Sequence, residues 1–196
     1  LAPLNEEQLI HIRDERTEQI MAAALQVFAR RGIIGTKMSM IAAEAGISHG
    51  LLYHYFKSKD ELFTTLVQRA VTESISALKN VYQLPGSPID KLRSLTESMI
   101  EAEGAPFFML VHQARTSDGV PEESRQLLKE YPMNAYVDIL LPLLKEGQEA
   151  GEIAPGRPED LIADYLSVLS GLMVLDAKQT EDYRMPEVDR LLRILT

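Results

Sequence analysis

The chain has 196 residues and a formal net charge of −9, with 45% hydrophobic and 25% charged side chains, which is the composition of a globular protein and not of a disordered tail. It contains no cysteine, so disulfides and thiolate metal sites are excluded. Taken globally the negative charge argues against a polyanionic partner, yet residues 19–60 carry Arg30, Arg31, Lys37, Lys57 and Lys59 against only Glu44 and Asp60, while acidic residues outnumber basic ones on either side.

In chain order, Ile20, Ala24, Val27 and Phe28 recur at helical spacing and predict a first helix from near Asn5 or Asp14 to Arg31, stopped by Gly32. A short helix follows over 36–45, with Ser39 as its expected cap and Ile41, Ala42 and Ala45 facing inward. Gly46 can take the positive φ that ends it, and Ser48 can cap a very short third helix. Ser58 with Glu61 forms a capping box for a fourth, which continues through Leu62, Leu66, Val67, Val71, Ile75 and Leu78 toward Tyr82.

The run from Leu84 to Pro88 breaks the pattern. Residues 89–103 are amphipathic, Gly104-Ala105-Pro106 interrupts, and 107–115 is another apolar helical segment. A turn at 117–121 leads into a long helix to about Ala150, with a kink or break expected at Pro132, Pro142 or both. Residues 151–156 form a loop, and helices over Pro158 to about Lys178 and Pro186 to Leu195 close the chain. With no strand alternation, the fold class is all α, with about nine helices.

A helix, a glycine-containing turn and a second short helix make the helix-turn-helix pattern, here about 37–56, in which the second helix enters the major groove of DNA. The short third helix carries Ser48, His49, Tyr53, His54 and Tyr55, hydrogen-bonding and cationizable groups that suit a duplex surface. Residues 14–74, with Gly-Ile-Ser-x-Gly-x-Leu-Tyr-x-Tyr-Phe-x-Ser-Lys-Asp-Glu-Leu at their centre, resemble the DNA-binding domain of the TetR family of transcriptional regulators. The resemblance implies that Thr36, Ser39, Ser48, Tyr53, His54 and Lys59 hold phosphates while His49, Gly50 and Leu51 face base edges. His49 and Leu51 depart from the Lys and Thr that many members carry there. Tyr55 and Phe56 read as anchors of the short helix.

The resemblance also implies that residues 75–196 form a ligand-binding and dimerisation domain. Met99, Glu103, Phe107, Phe108, His112, Arg115, Tyr136, Tyr165 and Met173 are the candidate lining of an effector pocket, mostly apolar with a few polar groups. Leu161, Tyr165, Val168, Leu169, Leu172, Val174 and Leu175 make the penultimate helix apolar around much of its girth, and Gly171 permits close approach. With Leu191, Leu192 and Leu195 they suggest a four-helix interface shared by two protomers.

Catalysis finds no support. The histidines, at 11, 49, 54 and 112, lack metalloprotease spacing; no glycine-rich phosphate loop or cofactor motif is present; Glu101 and Glu103 point to different helix faces. The apolar window 165–175 is too short to span a bilayer, which needs about 20 residues, and no amino-terminal run has the form of a signal peptide. The expectation is a cytoplasmic homodimer that binds a pseudo-palindromic double-stranded operator, acts as a repressor and is released by a small, largely apolar effector. A helical protein-interaction adaptor is the alternative.

Overall fold

The computed structural model describes residues 6–100, 104–177 and 183–196. Among the described residues ten α-helices follow one another: α1 Glu6–Gly35, α2 Met38–Glu44, α3 His49–Tyr55, α4 Lys59–Asn80, α5 Pro88–Ile100, α6 Ala105–Thr116, α7 Glu122–Glu130, α8 Met133–Glu149, α9 Pro158–Ala177 and α10 Val188–Leu192. A single 3₁₀ turn, Val81–Gln83, extends α4, and no strand occurs among the described residues. None of these helices is long and apolar enough to cross a membrane.

The tenth helix arises at Pro132. α7 ends at Glu130, Tyr131 leaves helical geometry at φ −121° and ψ 67°, and Pro132 becomes the residue before α8, because a proline disfavours the helical region for its predecessor. Pro142 stays inside α8 on its exposed side, where water can satisfy the carbonyl that loses its partner. α1 is interrupted at Gly32 (φ 66°, ψ 172°) and then makes one further turn to Gly35. Ser39 does not cap α2: the backbone turns helical two residues earlier, after Lys37, so Ser39 lies exposed in the first turn. Ser58 accepts a hydrogen bond from the Glu61 amide at 3.0 Å, and the Glu61 carboxylate accepts one from the Lys57 amide at 2.7 Å.

Two apolar cores organise these helices. The first gathers Ile20, Phe28, Leu52, Phe56, Phe63 and Leu66 from α1, α3, α4 and the residue closing α3, together with Leu110 and Ala114 of α6, Val120, and Leu128 of α7. The second joins Leu78 and Val81 to Leu92 of α5, Leu140 and Leu144 of α8, Tyr165 and Leu169 of α9, and Leu191, Leu192 and Leu195 at the carboxy terminus. α4 enters both, so the boundary expected between residues 74 and 75 falls inside a continuous helix. Where α8 meets the following loop, a Cβ on Gly147 would lie 2.5 Å from Cδ1 of Ile153, so any larger residue there would push the Ile153 side chain aside.

At the centre of the first core the rings of Phe28 and Phe63 meet edge to face, their centroids 5.1 Å apart, and neither is exposed. Replacing Phe63 by Ala removes that contact and leaves a cavity beneath α3. Urea denaturation is expected to show a loss of about 3–5 kcal/mol.

Candidate nucleic-acid interface

Three short elements around the first core set the geometry of the recognition surface. The Ser48 hydroxyl accepts the Leu51 amide at 3.2 Å and starts α3. Within α3 only Leu52 is buried, and Phe56 behind it fixes the far end; His49, Gly50, Leu51, Tyr53 and His54 all remain exposed. Leu51 is 37% exposed, an apolar side chain that the protomer leaves open to a partner. The rings of His49 and Tyr53, one turn apart, meet edge to face with centroids 4.9 Å apart.

Glycine inside a helix costs about 0.5–1 kcal/mol relative to alanine. At Gly50 a Cβ would meet nothing within 4 Å, so the protomer's own packing gives no reason for it.

Thr36 and Lys59 have different surroundings from the other candidates for this surface. Thr36 is only 2% exposed, and its hydroxyl donates to the Gly32 carbonyl at 2.6 Å. Lys59 Nζ donates to the carbonyls of Ile33 at 2.7 Å and Thr36 at 3.1 Å, binding the start of α4 to the end of α1. Arg30 is paired with Glu44 at 2.8 Å. Lys37 and Lys57, exposed where the chain enters α2 and leaves α3, have no carboxylate partner among the described residues. Their signal in the sequence is their place immediately before α2 and just after α3.

The candidate effector lining is divided between the cores. Phe107 packs against the first, while Met99, Tyr136 and Tyr165 belong to the second. Phe108 and His112 are half-buried, Met173 is buried, Arg115 is exposed and donates to the Tyr131 carbonyl at 2.8 Å, and Glu103 lies outside the described residues. Two surface clefts, of about 530 Å³ beside residues 151–156 and about 440 Å³ between Arg93 and Asp189, are lined by none of the nine. The most interior polar group of the set is Tyr165, 1% exposed, whose hydroxyl lies 2.6 Å from that of Thr96, which also contacts the Leu92 carbonyl. Burial pushes the Tyr165 phenol up to about 12, against the opposing pull of the Thr96 hydrogen bond.

The candidate interface residues divide too. Tyr165, Leu169, Leu191, Leu192 and Leu195 are covered by the protomer itself, and so are unavailable to a second copy in this conformation. Val168 and Leu175, 39% and 46% exposed, flank Gly171, where a Cβ would meet open space; Leu161 and Leu172 are half-buried beside them.

Residues 20–66, which comprise α2, α3 and the adjoining turns of α1 and α4, match the bacterial regulatory proteins of the tetR family. The HTH-type transcriptional regulator YfiR of Bacillus subtilis is 30% identical over 164 residues, covering 78% of this chain and 75% of that one. The chain belongs to the TetR family. It is a DNA-binding transcriptional regulator. The fatty acid metabolism regulator protein of Bacillus subtilis is 28% identical over 70% of this chain and 71% of its own. The solved structure of FadR from Bacillus subtilis in complex with stearoyl-CoA shares the fold, with a TM-score of 0.64 and 23% identity over 90% of this chain and 94% of that one.

The raised Tyr165 value has a definite sign. A phenol whose folded value exceeds its ordinary 10 contributes stability that is fully present below pH 10 and is lost as pH rises toward 12. Urea denaturation across this range is expected to show that loss, at up to about 1.4 kcal/mol per pH unit, relative to Tyr165→Phe, which lacks the titrating group.

Proposed function

We propose that this TetR-family regulator is a cytoplasmic repressor that binds a pseudo-palindromic operator as a homodimer and leaves it when a small, largely apolar effector enters the domain beyond α4. The observation that carries the DNA reading is α3 itself: a seven-residue helix anchored by Leu52 and Phe56, with every other side chain but Tyr55 exposed and a glycine that no internal contact requires. His49, Gly50 and Leu51 face base edges, and Ser39, Ser48, Tyr53 and His54 face phosphates. Phosphate neutralisation falls mainly to Lys37 and Lys57, since two of the three Lys59 donors are spent on carbonyls.

One short helix contacts too few base pairs for a specific site, so two copies cooperate. The stripe of Val168, Gly171 and Leu175 on α9 supports self-association there, with α10 packed behind it. The relationship to a fatty acid metabolism regulator supports an effector with substantial apolar surface. The effector must open space between α5, α8 and α9, where Tyr165 and Thr96 supply polar partners. Weakening operator binding 100-fold requires about 2.7 kcal/mol of coupling, and operator weakens effector binding by the same factor.

Selection from random duplex DNA is expected to return an inverted repeat with half-site centres about 34 Å apart or somewhat farther. With that duplex, Lys37→Ala and Lys57→Ala should each lower the salt slope of binding by about one, whereas Lys59→Met leaves it unchanged. A featureless selection, or binding insensitive to salt, removes the DNA reading in favour of a protein-binding adaptor.

Placing arginine at both Val168 and Leu175 is expected to yield monomers by light scattering at micromolar concentration and to abolish operator binding. A dimer that persists in this variant moves the interface off α9.

A further inference from the structure

The end of α1 is a place where three helices meet through hydrogen bonds. The break at Gly32 leaves the carbonyls of the last turns without their full set of helical partners, as any helix terminus does. Side chains fill the need. Thr36 donates to Gly32, Lys59 of α4 donates to Ile33 and Thr36, and Gln113 of α6 donates from Nε2 to Ala29 at 3.0 Å. Ala29 and Ile33 lie on either side of the break.

Gln113 is an unusual residue to find here. Its Oε1 is shut off from solvent and has no hydrogen-bond partner among the described residues. Rotating the amide to reverse its two ends would set Oε1 against the Ala29 carbonyl, so that carbonyl fixes the orientation. An apolar side chain of similar length would avoid a buried unpaired acceptor. The amide therefore serves the Ala29 contact, and that contact is the polar tie from α6 to α1. Lys59 is the corresponding tie from α1 to α4, at the position where α4 starts beside the recognition helix.

We propose that Gln113 is a positioning residue for operator binding: acting through the broken end of α1 and Lys59, it sets the placement of α3 and the start of α4 without itself touching DNA. This rests on the DNA reading above. It predicts that the two ties act as one unit, so that cutting either disconnects the same path.

A double-mutant cycle on the selected operator tests this by fluorescence anisotropy, with Gln113→Met and Lys59→Met removing each donor while keeping most of the apolar bulk. Binding by the unaltered protein comes first, and its absence would defeat the DNA reading itself. Each single variant is expected to bind about tenfold more weakly with an unchanged salt slope, and the double variant scarcely more weakly than either. Sites that share no partner instead multiply to within about twofold, so a double variant about 100-fold weaker overturns the proposal. Gln113→Met binding within twofold of the parent overturns it as well. Thermal unfolding followed by circular dichroism checks each protein; should Gln113→Met lose its cooperative transition, Gln113→Asn, shorter by one methylene, takes its place in the same cycle under the same criteria.

Discussion

A helix of seven residues does not persist in water by itself: nucleation is unfavourable, and isolated helices shorter than about 12–15 residues are marginal. Everything at the recognition surface follows from that constraint. α3 exists because Leu52 and Phe56 are drawn into the core built on Phe28 and Phe63, and because Ser48 starts it at a fixed residue. Since the helix spends only Leu52, the half-buried Tyr55 and the adjoining Phe56 on its own support, the remainder of its surface is exposed. Of its neighbours, α2 is equally short and α4 has 22 residues, and the core they share takes side chains from α1 to α4, α6 and α7.

What could be read in the sequence was local. The glycine and serine punctuation from Gly46 to Ser58, the capping by Glu61 and the break at Pro132 depend on a few adjacent residues, and their positions follow directly from backbone preference. The Ser39 cap failed because a cap depends on the residue at which the backbone turns, and Lys37 turned first. Partners far apart in the sequence gave no signal. Nothing adjacent to Lys59 announces the carbonyls of Ile33 and Thr36, and Gln113 reaches Ala29 across 84 positions. For the same reason an apolar girth on α9 could not say which side α6, α8 and α10 would cover. Packing selected Tyr165 and Leu169 for the interior and left Val168 and Leu175 outside.

The charge pattern acquires a more exact meaning once side-chain partners are assigned. Of the five basic groups within residues 19–60, Arg30 is neutralised by Glu44 and Lys59 faces carbonyls. The electrostatic attraction of the recognition surface is therefore smaller than the composition suggests, and falls to the exposed Arg31 near the end of α1, Lys37 at the entry to α2 and Lys57 at the exit from α3. A weak general attraction to DNA, combined with an acidic remainder, favours discrimination by shape and base contact over indiscriminate adhesion to a duplex.

The first core has one consequence for how such a protein can change over evolutionary time. Leu110, Ala114, Val120 and Leu128 belong to α6, α7 and the turn between them, yet they complete the apolar packing under the recognition helix. A gene fusion that transplanted only the amino-terminal helices onto another regulatory body would carry away an unfinished interior.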